Sequence, residues 1–165
     1  IRLISLLLLF VIALSVKADA KIPKSCFVNN KPNGYCVYAS LETIGNFYKD
    51  KRLYGLVDYY SQWASSGAGT EEVRDCLGGL GVPYKIYENS TIEWLKEQVD
   101  NEIPIIVALR WPNGHHAVVV VDVTDRWVKY YDSNDTRQYH YVNREWFEWS
   151  WKNSFKSEWS VQLLR

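Results

Sequence analysis

From Cys36 onward, apolar side chains recur at spacings of three and four. Val37, Leu41, Ile44 and Tyr48 form one stripe, which predicts an amphipathic helix. Gly45 lowers its propensity slightly without breaking the stripe. A second, short helix is predicted over residues 56–64, closed by the small-residue loop 65–69. Thr70, followed by Glu71 and Glu72, reads as the N-cap of a third helix that runs to Leu80 and ends at Gly81. Residues 82–87 read as a short strand. Thr91 caps a fourth helix that runs to about Val99.

The period then changes. Residues 103–109 and 117–123 are nearly continuous apolar runs, the second almost wholly β-branched, and both read as buried strands. Residues 127–131 alternate like a strand with one covered face, and 139–142 form another short strand. Asn143 caps an aromatic helix around 146–151, and 161–164 closes the sheet. Helices first and strands afterwards predict an α+β fold with an antiparallel sheet, not alternating βαβ units. The stretch 21–35 is irregular, with Pro23, Pro32 and the turn pair Asn33-Gly34. No repeat, low-complexity tract or long linker divides the chain, so a single domain over 21–165 is expected.

The first twenty residues are of another kind. Arg2 precedes an apolar run over 3–16, and Ala18-Asp19-Ala20 places small residues at the two positions a signal peptidase reads. This predicts a signal peptide over 1–20, cut before Lys21, and a secreted protein or one held in the periplasm or cell envelope. The absent initiator Met fits a basic start that is incomplete. The run falls short of the roughly 20 apolar residues that span a bilayer, so no stable membrane insertion is expected after cleavage. An uncut anchor is the competing reading.

Composition narrows the function. Apolar residues make up 47% of the 165-residue chain and charged residues 23%, which supports a packed core and excludes disorder. Nineteen basic and nineteen acidic residues cancel. Without net positive charge the phosphate attraction behind nucleic-acid binding is missing, and nucleic acid is set aside. Eight tryptophans and twelve tyrosines mainly fill a small core. Some, Trp111 and Tyr35 among them, are candidates to line a substrate groove.

Three cysteines, Cys26, Cys36 and Cys76, leave at least one unpaired thiol in an exported chain. A Cys26–Cys76 disulfide with Cys36 free is the economical arrangement. Cys36 sits where a Pro/Gly loop meets a strong helix, so first-turn amides and the helix dipole favour its thiolate. A cysteine hydrolase also needs an imidazole to take the proton and a third group to orient that ring. His115 and His116 follow the Asn113-Gly114 turn and open the strand at Ala117. Period-two alternation sends them to opposite faces, so one of the two can serve. Reflecting position 116 about the turn at Thr124-Asp125-Arg126 lands on Asp132-Ser133-Asn134. Cross-strand neighbours lie roughly 4.5–5.5 Å apart, which makes both Asp132 and Asn134 candidates for the third group. Asn30, six residues before Cys36, carries an amide able to donate to an oxyanion. Cys-x-x-Cys and His-x-x-x-His spacings are absent, so neither zinc nor another cofactor is expected.

In order and spacing, three stretches resemble the papain-like cysteine peptidases. They are 30–42 (NKPNGYCVYASLE), 114–121 (GHHAVVVV) and 129–136 (KYYDSNDT). The resembling branch is the bacteriocin-leader (double-glycine) peptidase domain of bacterial ABC exporters, with its stand-alone secreted relatives. That family shows a Gln about six residues before a helix-opening Cys. Gly-His then precedes a Val-rich strand, and an Asp ends the next strand. The resemblance implies a papain-like fold, an N-terminal helical half packed against an antiparallel sheet. It implies Cys36 as nucleophile, His116 as base and Asp132 as its orienter, with Asn134 the alternative third member. Asn30 stands where the family has its oxyanion Gln, one methylene shorter, and Ser133 replaces the usual proline. The activity implied is hydrolysis of a peptide or amide bond through a thioester, by a monomeric bacterial enzyme acting on a peptide or protein. Acyl transfer and cleavage of cell-wall peptide are variants of that reading. An inactive papain-like domain that binds peptide or glycan is the competing class. Asn89-Ser90-Thr91 and Asn134-Asp135-Thr136 match the glycosylation sequon. A glycan on the second would crowd the site, which argues against eukaryotic secretion.

Overall fold

The two β-branched runs become the middle of a sheet in the structure, a computed structural model that describes residues 22–165. The predicted signal peptide and its cut lie outside those residues. Strands β2 (Ile105–Trp111) and β3 (Gly114–Val123) pair antiparallel, from Ile105↔Val120 to Trp111↔Gly114. Beyond β3 lie β4 (Trp127–Asp132) and β5 (Asp135–Asn143). Beyond β2 lie β6 (Ser160–Leu163) and β1 (Tyr84–Tyr87). The six strands run in the order β1-β6-β2-β3-β4-β5, every pair antiparallel.

Both faces are covered, which is why β2 and β3 read as continuous apolar runs and not as alternation. Ile106, Ala108, Val119 and Val121 face α1 (Cys36–Tyr48), with α2 (Leu56–Trp63) and α3 (Thr70–Gly79) completing that core. Ile105, Val107, Leu109, Val118 and Val120 meet α4 (Ile92–Asp100) and α5 (Arg144–Lys152) on the other side. The α+β architecture is as expected. To the helical half packed on the sheet it adds α4 and α5, packed on the second face. Trp151, Trp159, Phe147, Tyr38 and Tyr131 are fully buried, whereas Trp63, Tyr59, Trp127, Tyr141 and Trp149 face solvent. Among the described residues, no helix is long and apolar enough to cross a membrane.

Local chemistry sets the element ends. Thr91 Oγ1 accepts from the Trp94 N–H at 3.1 Å, and Asn143 Oδ1 accepts from Glu145 and Trp146, so both predicted caps act as caps. Thr70 does not. It is the first helical residue of α3, and its Oγ1 accepts from Trp159 Nε1 at 3.0 Å. The Glu72 carboxylate instead reaches back to the Gly69 N–H at 2.8 Å. Gly45 is required by packing: a Cβ there would stand 2.4 Å from Leu53 Cβ, so the 51–53 turn approaches α1 only because the side chain is missing.

The predicted disulfide is corrected: Cys26 and Cys76 are both free. Cys26 ends a 3-10 turn, and its carbonyl accepts from Asn46 at the far end of α1. Cys76 lies buried in α3 beside the Tyr60 hydroxyl of α2.

Candidate active site

The loop before α1 is tied down at several points. The Tyr35 N–H donates to Asn30 Oδ1 at 2.7 Å, and the Tyr35 hydroxyl donates to the Ala64 carbonyl at 2.9 Å. Tyr35 is thereby a buried anchor, which corrects its reading as a groove residue. The Gly67 N–H donates to the Gly34 carbonyl at 2.7 Å. Gly34 sits at φ +104, and a Cβ on it would come 2.4 Å from Ser66 Cβ, so glycine permits this approach. Together these contacts set Cys36 at the mouth of α1 and bring the 65–69 loop along its flank.

On the sheet, Val119 pairs with Tyr131 and Val120 with Tyr130, but beyond a bulge Asp122 pairs with Lys129. The bulge shifts the register by one residue. Continued outward, the register sets position 116 opposite 134, so Asp132 reaches His116 diagonally. His116 Nε2 lies 2.6 Å from Asp132 Oδ1, with both side chains buried. Oδ1 also accepts the Asn134 N–H at 2.8 Å. The His116 ring also interacts with the Cys36 thiol, each shifting the titration of the other. With Nε2 taken by Asp132, Nδ1 is the nitrogen left for the sulfur.

Asn134 is also close to the ring, with Nδ2 3.4 Å from Nε2. Its orientation follows from a backbone donor. The Tyr35 N–H identifies the Asn30 oxygen, so Asn30 Nδ2 faces Asn134 at 3.2 Å and the atom it meets there is Oδ1. Asn134 therefore turns its nitrogen to the ring. An amide nitrogen accepts no proton, so Asp132 is the acceptor for the Nε2–H.

Burial alone would push the Cys36 thiol up. The hydrogen bond and charge of His116, with the N–H groups of Ala117 (3.4 Å from Sγ) and Val37, outweigh it and hold the thiol below its ordinary value. Burial would likewise lower His116. Hydrogen bonds and charge from Asp132 and Cys36 prevail and raise the ring to about 9. Burial raises Asp132, but the imidazole hydrogen bond and charge leave it below the usual carboxylate range. Both shifts run in the direction that favours thiolate with imidazolium.

Two hollows open on either side of the sulfur. One, about 490 Å³, is bordered by Asn30, Lys31, Trp111, His116 and Asn134. The Trp111 ring lies 5.2 Å from the His116 ring, where the sequence reading placed it. The other, about 430 Å³, is bordered by Gly34, Ser66 to Gly69, Ala108, Ala117 and Phe155. His115 borders both, stacked edge-on against Phe155 at 5.8 Å. Alternation turns it away from Asp132 without removing it from the cleft. The Ala117 N–H, the 65–69 loop and Phe155 were not foreseen. The first is backbone and leaves no residue signature; the loop showed only its small residues. Among the described residues no group of three or more His, Cys, Asp or Glu side chains could hold a metal.

Ser133, between the two site residues of the turn, is fully buried, and its Oγ has no partner among the described residues. A buried unsatisfied hydroxyl costs about 1–3 kcal/mol. Ser133→Ala is expected to raise the thermal midpoint by about 2–4 °C. A lowered midpoint in calorimetry would show that Oγ is bonded after all.

No family model and no curated protein sequence matches the chain. The likeness lies in the fold. A protein described as a C39-like peptidase from Bacillus anthracis superposes with a TM-score of 0.68 at 15% identity, covering 88% of this chain and 96% of that one. A double glycine motif protease from an AMS/PCAT transporter, solved in complex with the leader peptide, gives 0.63 at 18% identity, over 90% and 96%. The peptidase domain of Streptococcus ComA, a bi-functional ABC transporter involved in quorum sensing, gives 0.63 at 14% identity, over 82% and 95%. The chain has the papain-like fold of the C39-like peptidase domains.

Proposed function

We propose that this protein is an exported cysteine peptidase that hydrolyses a peptide bond through a thioester at Cys36. The observation that carries the reading is the 2.6 Å pairing of Asp132 with His116, an imidazole that lines the same two hollows as the Cys36 sulfur. In this reading the Cys36 thiolate adds to the substrate carbonyl, and Asn30 donates to the oxyanion. The imidazolium gives its Nδ1 proton to the departing amine, and the acyl group stays on sulfur. The neutral ring then takes a proton from water as that water attacks the thioester, and the thiolate leaves. Asp132 keeps the Nε2–H and so holds the reactive tautomer throughout. A peptide substrate is in keeping with the leader peptide bound to one of the structural neighbours. Export rests on residues 1–20.

The test is the pH dependence of Cys36 alkylation by iodoacetamide. A free thiol titrates near about 8.5, whereas Cys36 is held lower by its neighbours. The alkylation rate is therefore expected to reach its plateau at a lower pH than that of a free thiol. Hydrolysis should fall on the acid side as the thiolate is protonated, and again as pH rises through about 9, where the imidazolium loses its proton. A single titration at the free-thiol value would overturn the reading.

A further inference from the structure

The turn after β4 holds more than the imidazole. Ser133 accepts the Asn30 N–H on its carbonyl at 2.9 Å, and Asn134 Oδ1 accepts from Asn30 Nδ2 at 3.2 Å. Asn30 is only 4% exposed, and its Oδ1 is occupied by the Tyr35 N–H at 2.7 Å. Its backbone and both ends of its carboxamide are therefore held. One N–H of Nδ2 has no partner among the described residues, and Asn30 borders the hollow into which Cys36 opens. The backbone bond to Ser133 draws residue 30 toward the turn, which offsets a side chain one methylene short of glutamine.

We infer that Asn134 is a positioning residue for Asn30: by accepting one N–H of that carboxamide it aims the other at the oxyanion formed on attack by Cys36. The inference rests on the reading of Cys36 as nucleophile. An oxyanion donor is worth about 10²–10³-fold in rate. Asn134 acts through that donor, and Oδ1 of Asn30 stays pinned without it, so its loss should cost less, about tenfold.

The experiment compares two reactions of Cys36, in protein made in bacteria so that the sequon at Asn134 stays unmodified. Acylation by p-nitrophenyl acetate passes through an oxyanion as the S–C bond forms and nitrophenolate leaves. Alkylation by iodoacetamide displaces iodide at a saturated carbon and does not. Asn134→Ala is expected to slow acylation about tenfold relative to alkylation, whose own rate and pH profile report any change at the imidazole that Asn134 faces. Asn134→Asp keeps an acceptor for Asn30 and should recover most of the loss. Asn30→Ala should cost about 10²-fold or more, and adding Asn134→Ala to it should cost nothing further, because the group being positioned is gone. A parent ratio of acylation to alkylation in Asn134→Ala, or losses that multiply in the double variant, would overturn the inference and leave the peptidase reading standing. Failure of that reading shows separately, as a parent protein with an ordinary thiol titration.

Discussion

Alanine at position 36 is expected to reduce hydrolysis of p-nitrophenyl acetate to the buffer rate, a loss of about 10⁴-fold or more. The reaction as proposed splits one difficult step into two through a bond to sulfur, and among the described residues Cys36 is the one thiol or hydroxyl that borders both hollows. The same variant should lose the one fast-reacting thiol. All three cysteines are free. Burial raises the Cys76 thiol despite the opposing Tyr60 hydrogen bond, so that sulfur is inert. Cys26 is half-buried at the end of a 3-10 turn. Peptide mapping after brief iodoacetamide exposure near neutral pH should place the label on Cys36 alone in the parent and nowhere in Cys36→Ala. The fold should survive, since the substitution removes only the sulfur's weak contacts with the Ala117 and Val37 N–H groups and its interaction with His116. A folded Cys36→Ala protein that still turns over would end the assignment.

How far the sequence carried this site depended on what kind of information each feature needs. The α1 stripe and the β2 and β3 runs were legible because burial repeats with the period of the element, and Cys36 at the helix mouth came with them. The choice between His115 and His116 was not legible from spacing, because both follow the same turn and both reach the cleft. Hairpin reflection found the turn but left Asp132 and Asn134 both open. The one-residue bulge between Val120 and Asp122 shifts the ladder, and a bulge has no marker in a run of valines. Tyr35 and Thr70 were misassigned for a shared reason: each polar group has a local role open to it and a distant partner that wins, Ala64 for the first and Trp159 for the second. The disulfide failed because an odd cysteine count says that a thiol is left over but not where the other two lie.

The imidazole is where the proposed chemistry is most exposed to a single substitution. His116 is raised to about 9, against the effect of its own burial, by Asp132 and Cys36. Removing the carboxylate by Asp132→Ala takes away the 2.6 Å acceptor, unlocks the tautomer and strands the Asn134 N–H that Oδ1 accepts. Hydrolysis is expected to fall by about 10³–10⁴-fold, with stability reduced by about 1–3 kcal/mol for the orphaned buried donor. Asp132→Asn separates the two effects, because an amide oxygen can still accept from both groups while the charge is gone. Without that charge the imidazolium is less favoured, so the alkaline fall in rate should move below about 9. The thiolate in turn loses part of the cation that lowers it, so the acid fall should move up and the active window should narrow from both sides. A structural role alone would change the thermal midpoint and leave both limbs in place. If Asp132→Asn keeps the parent profile of rate against pH, the carboxylate does not govern the ring, and His116 must be oriented by something else.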